Sequence, residues 1–131
     1  MAALRIAQDA NGGYLTELLM DTVADYLDMP RISVYEVATF YSMYELSPVG
    51  KHKICICTNI SCMLCGSDDV VAHFKKRLGI GLGETTKDGR ITLKEVECLG
   101  ACVGAPMLQI DKKYYEHLTP ETIDALLDGL D

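Results

Sequence analysis

The chain has 131 residues, 12 of them Lys or Arg and 19 Asp or Glu, giving a net charge of −7. That length suits one compact domain with a small appendage, and 49% apolar with 24% charged residues excludes wholesale disorder. The acidic balance argues against nucleic acid or an anionic membrane as the main partner, since both require basic patches. No apolar run approaches the roughly 18 residues of a membrane helix. The first fifteen residues carry one Arg, one Asp and two glycines, so neither a signal peptide nor an Arg-rich transit peptide is expected. The chain is read as a soluble protein of the compartment in which it is made.

Residues 1–50 hold two basic and seven acidic residues (−5), whereas 51–131 hold ten and twelve (−2). Ser47-Pro48-Val49-Gly50 interrupts the patterning between them. In the first part, Leu15, Leu18, Leu19, Val23, Tyr26 and Leu27 follow a helical stripe after the Asn11-Gly12-Gly13 break, stopping before Pro30. Ser33 with Glu36 predicts a capping box opening a second helix, with Val34, Val37, Tyr41 and Tyr44 inward. Two short helices bury little alone, so this segment is expected to dock on a partner.

The second part alternates strand and helix signals. Lys53 to Cys57 reads as a strand. Ser67-Asp68-Asp69 opens a helix with Val71, Phe74 and Leu78 on one face and Lys75-Lys76-Arg77 at its end, stopped by Gly79. Asp88-Gly89 is a turn leading into a strand over 91–97. Met107–Asp111 and Tyr114–His117 read as a hairpin joined at Lys112-Lys113. Thr119 as N-cap and Pro120 at the first helical position begin a last helix through Ile123, Leu126 and Leu127. The order β-α-β-β-β-α implies an α/β sandwich with a mixed sheet.

Six cysteines, at 55, 57, 62, 65, 98 and 102, all fall after residue 54. They are too few for a disulfide scaffold, and clustered cysteines without a secretory signal more often hold metal or do redox chemistry. Four residues separate Cys57 from Cys62, and three separate Cys98 from Cys102. Each pair lies in a loop leaving a predicted strand, so four thiolates can converge at one end of the sheet. That number suits a [2Fe–2S] cluster, and Thr58, Asn59, Ser61, Gly100, Ala101 and Gly104 supply small residues for close backbone approach.

Cys57-Thr58-Asn59-Ile60-Ser61-Cys62 and Glu97-Cys98-Leu99-Gly100-Ala101-Cys102-Val103-Gly104-Ala105-Pro106-Met107 resemble the thioredoxin-like [2Fe–2S] ferredoxins. The resemblance is closest to their complex I branch, the E subunit of bacterial NADH:quinone oxidoreductase. Asn11-Gly12-Gly13-Tyr14, Val34-Tyr35-Glu36-Val37-Ala38-Thr39-Phe40-Tyr41, Pro48-Val49-Gly50-Lys51 and Glu116-His117-Leu118-Thr119-Pro120-Glu121 extend it over nearly the whole chain. It implies a thioredoxin-like ferredoxin domain over 51–131 and a helical partner-docking segment over 1–50. It implies Cys57 and Cys62 on one iron, and Cys98 and Cys102 on the other. The cluster would exchange one electron with the FMN of a neighbouring, NADH-binding subunit, contacted through the N-terminal helices. The expected location is the cytoplasm, peripheral to the bacterial inner membrane through the complex, with no membrane insertion of this chain. The family usually carries further helix upstream of Asn11, so a short natural or trimmed N-terminus is expected. Cys65 is unusual for the family and creates Cys62-x-x-Cys65.

Three rival readings stay open. Four thiolates also suit structural zinc, although zinc knuckles are usually more compact. Cys62 and Cys65, between a strand and a helix, could serve a thiol–disulfide oxidoreductase, which leaves Cys98 and Cys102 without a role. An NADH-linked hydrogenase or formate dehydrogenase would use the same module. Cys55 is read as a buried small residue, and His52, His73 and His117 as surface or packing residues. Tyr35, Phe40, Tyr41 and Tyr44 read as helix core or partner interface, and Ala105-Pro106 as a candidate cis bond. Gly79, Gly81 and Gly83 lack the following helix of a nucleotide fingerprint, so no NADH or flavin site is expected on this chain.

Overall fold

The computed structural model describes residues 1–130, which form two compact units divided between Val49 and Gly50. The first unit holds three helices, α1 (Ala2–Ala10), α2 (Glu17–Tyr26) and α3 (Arg31–Phe40). Leu4, Leu15, Met20, Val23, Ala24, Val34, Ala38 and Tyr44 make its core. Thr16 caps α2 by accepting the Leu19 amide at 3.2 Å, as Thr does where the first N–H groups lack partners.

Three features of this unit differ from the sequence reading. The buried face of α2 is Met20, Val23 and Ala24, while Leu18 and Tyr26 of the expected stripe are exposed and Leu27 lies just past the helix end. A helix precedes the Asn11-Gly12-Gly13 break. Its alanine-rich sequence favours helix, but its inward stripe includes Gln8, which hides it from a search for apolar periodicity. Gln8 is buried and satisfied: its amide nitrogen donates to Met43 O (3.1 Å) and its amide oxygen accepts from Glu45 N (2.8 Å). The third difference is the start of α3, which opens at Arg31 after Pro30 with no side-chain cap. The Ser33–Glu36 capping box is therefore absent; Ser33 N–H donates to Pro30 O instead. A proline pre-set for helix entry, with Arg31 paired to Asp21 at 2.8 Å, starts the helix earlier. It ends at Phe40, so Tyr44 is buried from the following segment and Tyr41 is exposed.

The second unit is a five-stranded mixed sheet in the order β2-β3-β1-β4-β5. The strands are β1 (His52–Cys57), β2 (Glu84–Thr85), β3 (Ile91–Val96), β4 (Leu108–Ile110) and β5 (Lys113–Tyr115). β1 runs parallel to β3, with Ile54 opposite Leu93 and Cys57 opposite Val96, and antiparallel to β4. The short edge strand β2 follows a glycine-rich stretch that carries no strand signal. Helices α4 (Ile60–Leu64), α5 (Ser67–Leu78) and α6 (Pro120–Asp128) complete the unit. Ile54, Ile56, Leu93 and Leu108 pack with Val70 and Phe74 of α5 and Ile123 and Leu127 of α6. The buried stripe of α5 is thus Val70 and Phe74, with Val71 and Leu78 only partly buried beside it.

α5 begins at Ser67 and stops at Gly79, whose φ of 67° suits a residue without Cβ. Thr119 and Thr122 form a reciprocal capping box at the start of α6. No helix among the described residues is long and apolar enough to cross a membrane.

Candidate iron–sulfur site

Alternation along β1 sends Ile54 and Ile56 to the helix-covered face and Cys55 and Cys57 to the other. Cys57 is the last residue of β1, and its register partner Val96 is the last of β3. Parallel pairing therefore brings the segments after both strands out at one end of the sheet. The first segment does not stay a loop. Asn59 accepts the Ile60 amide at 2.7 Å and opens α4, so Cys62 sits on a helix rather than in a loop. Asn ahead of Ile60-Ser61-Cys62-Met63-Leu64 is a cap signal that the sequence carries.

Cys57 and Cys62 are 4% and 1% exposed and pack against Met107, also 1% exposed. Partly buried Leu99, Ala101 and Ala105 close around them. Burial, followed by a hydrogen bond with Cys57, pushes the Cys62 thiol up to about 11; the Met107 backbone N–H partly offsets this, and Cys102 is close enough to add to it. Cys57 Sγ also lies 3.9 Å from Glu97 O, so the chain just before Cys98 passes beside it. Cys98 and Cys102 are exposed. Cys57 and Cys62 thus meet at the sheet end, and the segment that carries Cys98 and Cys102 passes beside them. Among the described residues, no three His, Cys, Asp or Glu side chains are grouped closely enough to hold a metal ion.

The 97–107 segment is held by its own bonds. Tyr114 Oη donates to Leu99 O at 2.8 Å, and Gly100 takes φ 76°. A 3-10 turn runs over Cys102–Gly104, His117 N–H donates to Gly104 O at 2.8 Å, and a Cβ on Gly104 would overlap the Glu116 side chain. The Ala105–Pro106 peptide is cis. Glu95, at the end of β3, accepts the Thr58 hydroxyl at 2.7 Å, which places a carboxylate beside the segment leading into the site. The roles of Met107, Tyr114 and Glu116 are not visible in the sequence, because they act across the hairpin rather than through a motif.

The remaining residues singled out in the sequence lie elsewhere. Cys65 ends α4 and is exposed, and Cys55 is buried in β1. His52 Nδ1 is 2.9 Å from Asp111, and His73 Nε2 is 2.9 Å from Asp124, which Arg77 also binds.

The profile of the thioredoxin-like [2Fe-2S] ferredoxin family matches residues 1–131. The chain is 51% identical over 127 residues to the E subunit of NADH-quinone oxidoreductase from Rickettsia bellii, covering 97% of this chain and 76% of that protein. It is 45% identical over 129 residues to an E subunit of the same enzyme from Rhizobium meliloti, the one numbered 2, covering 98% and 76%. In fold it is similar to the NAD+-reducing [NiFe]-hydrogenase in its air-oxidised state, with TM-score 0.80 at 20% identity over 98% of this chain and 22% of that one. The thioredoxin-like [2Fe-2S] ferredoxin from Aquifex aeolicus aligns with TM-score 0.50 at 17% identity, covering 61% and 79%. With a full-length profile match and half its residues shared with such relatives, this chain belongs to the thioredoxin-like [2Fe-2S] ferredoxin family.

Proposed function

We propose that this chain is the [2Fe–2S] electron-transfer subunit of the NADH dehydrogenase module of a bacterial complex I. The carrying observation is the buried pair Cys57 and Cys62 at the sheet end, in a chain half identical to proteins named as E subunits of NADH-quinone oxidoreductase. The donor set fits the group: four thiols in two pairs, one pair buried and one exposed, supply two thiolates to each of two irons. When bound, such a cluster provides reversible one-electron storage at the site.

This chain's own residues prepare that site. Cys57 and Cys62 would hold the inner iron against Met107, shielded from water, and Cys98 and Cys102 the outer one. Tyr114 fixes Leu99 and so orients the segment between the outer ligands. Glu95 and Glu97 add negative charge near the site, which makes an added electron less favourable and lowers the potential. The three helices of residues 1–49 form the surface that docks on the subunit carrying FMN and NADH. The chain thereby sits on the cytoplasmic side of the inner membrane without entering it.

The equivalent role in an NADH-linked hydrogenase shares the fold, but the 51% identity lies with the quinone-linked subunits. The test is reduction by NADH. Mixed with its flavin subunit, the reconstituted chain should bleach when NADH is added, and alone it should not. Bleaching of the isolated chain would put a nucleotide site on it and overturn the assignment, as would insulin-type disulfide reduction by the iron-free chain.

A further inference from the structure

The proposed site leaves two thiols unused: Cys55, buried in β1, and Cys65, exposed beside the ligand Cys62. Cys65 ends α4 one helical turn beyond Cys62, and its amide donates to Cys62 O at 3.1 Å and Ser61 O at 3.2 Å. In such a turn, α-carbons three residues apart lie about 5 Å from one another, inside the roughly 4.4–6.8 Å span a disulfide requires. The two sulfurs differ in access. Cys62 is 1% exposed, whereas Cys65 is exposed and lines an open cavity of about 500 Å³ with Asp69, His73, Lys76, Pro106 and Leu118. That volume admits a small disulfide, and Lys76 offers a cation to its carboxylates.

We infer that Cys62 and Cys65 form a disulfide in the cluster-free chain, withdrawing Cys62 so that the site loads only after reduction. This rests on Cys62 being a cluster ligand. The co-reactant is a low-molecular-weight disulfide of the glutathione type. The Cys65 thiolate attacks one of its sulfurs, forming a mixed disulfide and releasing one glutathione thiolate. Cys62 then attacks the Cys65 sulfur, passing its proton to a released glutathione thiolate, closes the internal bond and releases the second. Two protein thiols are oxidised, one external disulfide is reduced to two thiols, and the two protein protons end on the glutathiones.

Access selects Cys65 as the entry point and helix geometry selects Cys62 as its resolving partner. Cys57 is buried on β1, and Cys98 and Cys102 lie on a different segment. Once Cys62 is committed to iron, Cys65 has no resolving partner, so the device acts only before assembly.

The experiment treats iron-free full-length chain with glutathione disulfide, maps the linkages by digestion and mass spectrometry, then offers ferrous iron and sulfide. The expected result is a Cys62–Cys65 link and at least a tenfold loss of cluster yield, restored by dithiothreitol, while Cys65→Ser keeps its full yield. A link from Cys62 to Cys57 or Cys102 would overturn the inference. So would equal losses in wild type and Cys65→Ser, or a Cys65 that is only glutathionylated with yield unchanged. Failure of untreated, reduced wild type to load would instead strike the ligand assignment, and the linkage map would still decide whether the pair forms.

Discussion

Replacing Met107 by alanine removes the side chain against which Cys57 and Cys62 pack. Met107 is 1% exposed, so truncation forfeits nearly its whole transfer free energy and leaves a void; buried Met→Ala changes cost about 2–5 kcal/mol. Three of the surrounding groups, Leu99, Ala101 and Ala105, lie on an irregular segment that can move inward. The lower part of that range, about 2–3 kcal/mol, is therefore expected. The readout is amide hydrogen exchange at Cys57, whose N–H donates to Met107 O at 3.3 Å, and at the neighbouring β1 amides. At about 1.4 kcal/mol per tenfold, protection should fall roughly 30- to 150-fold. Met107→Leu conserves volume and should cost less than about 1.5 kcal/mol. A Met107→Ala protein whose β1 protection falls less than about threefold would refute the packing on which the inner cysteine pair depends.

Neutralising Glu95 and Glu97 to glutamine should raise the cluster potential by some tens of millivolts, read by redox titration; an unmoved midpoint removes the electrostatic argument. Cys65→Ala should leave the visible spectrum intact, and loss of colour would make Cys65 a ligand. Gly50→Ala should destabilise by about 1–3 kcal/mol in thermal unfolding, because its Cβ would stand 2.9 Å from Arg90 and Ile91 backbone atoms while Gly50 N–H binds Thr92 Oγ1 at 2.6 Å; an unchanged midpoint contradicts that approach. The hydrogen bond from His73 holds the Asp124 carboxyl below its ordinary 3.8. Its stabilising effect is thus complete above about pH 4 and is lost as pH falls through the depressed value. Acid titration should cost wild type more stability than Asp124→Asn; parallel losses would remove Asp124 from the account.

The legible parts of this chain are those where local chemistry and tertiary packing agree. Lys53 to Cys57, the Asp68–Asp69 start and Gly79 stop of α5, and Thr119-Pro120 before α6 all carry their own signals, and each element forms close to where those signals put it. What escapes the sequence depends on partners distant along the chain. α1 buries Gln8 because backbone groups at 43 and 45 satisfy it. β2 is two residues long and exists through pairing with Thr92 and Leu93. Ser33 has the look of a cap, but Pro30 has already begun the helix. At the site, cysteine spacing and predicted strand ends point to one end of the sheet. The burial difference between the two pairs and the closure by Met107 come only from the folded β4–β5 hairpin and its neighbours.

The central claim is most directly tested by anaerobic purification, with iron, acid-labile sulfide and zinc quantified and low-temperature EPR recorded before and after reduction. The account predicts about two irons and two sulfides per chain, no zinc, and a rhombic signal that appears only on reduction. One zinc per chain in a colourless protein, with no signal in either state, would contradict it.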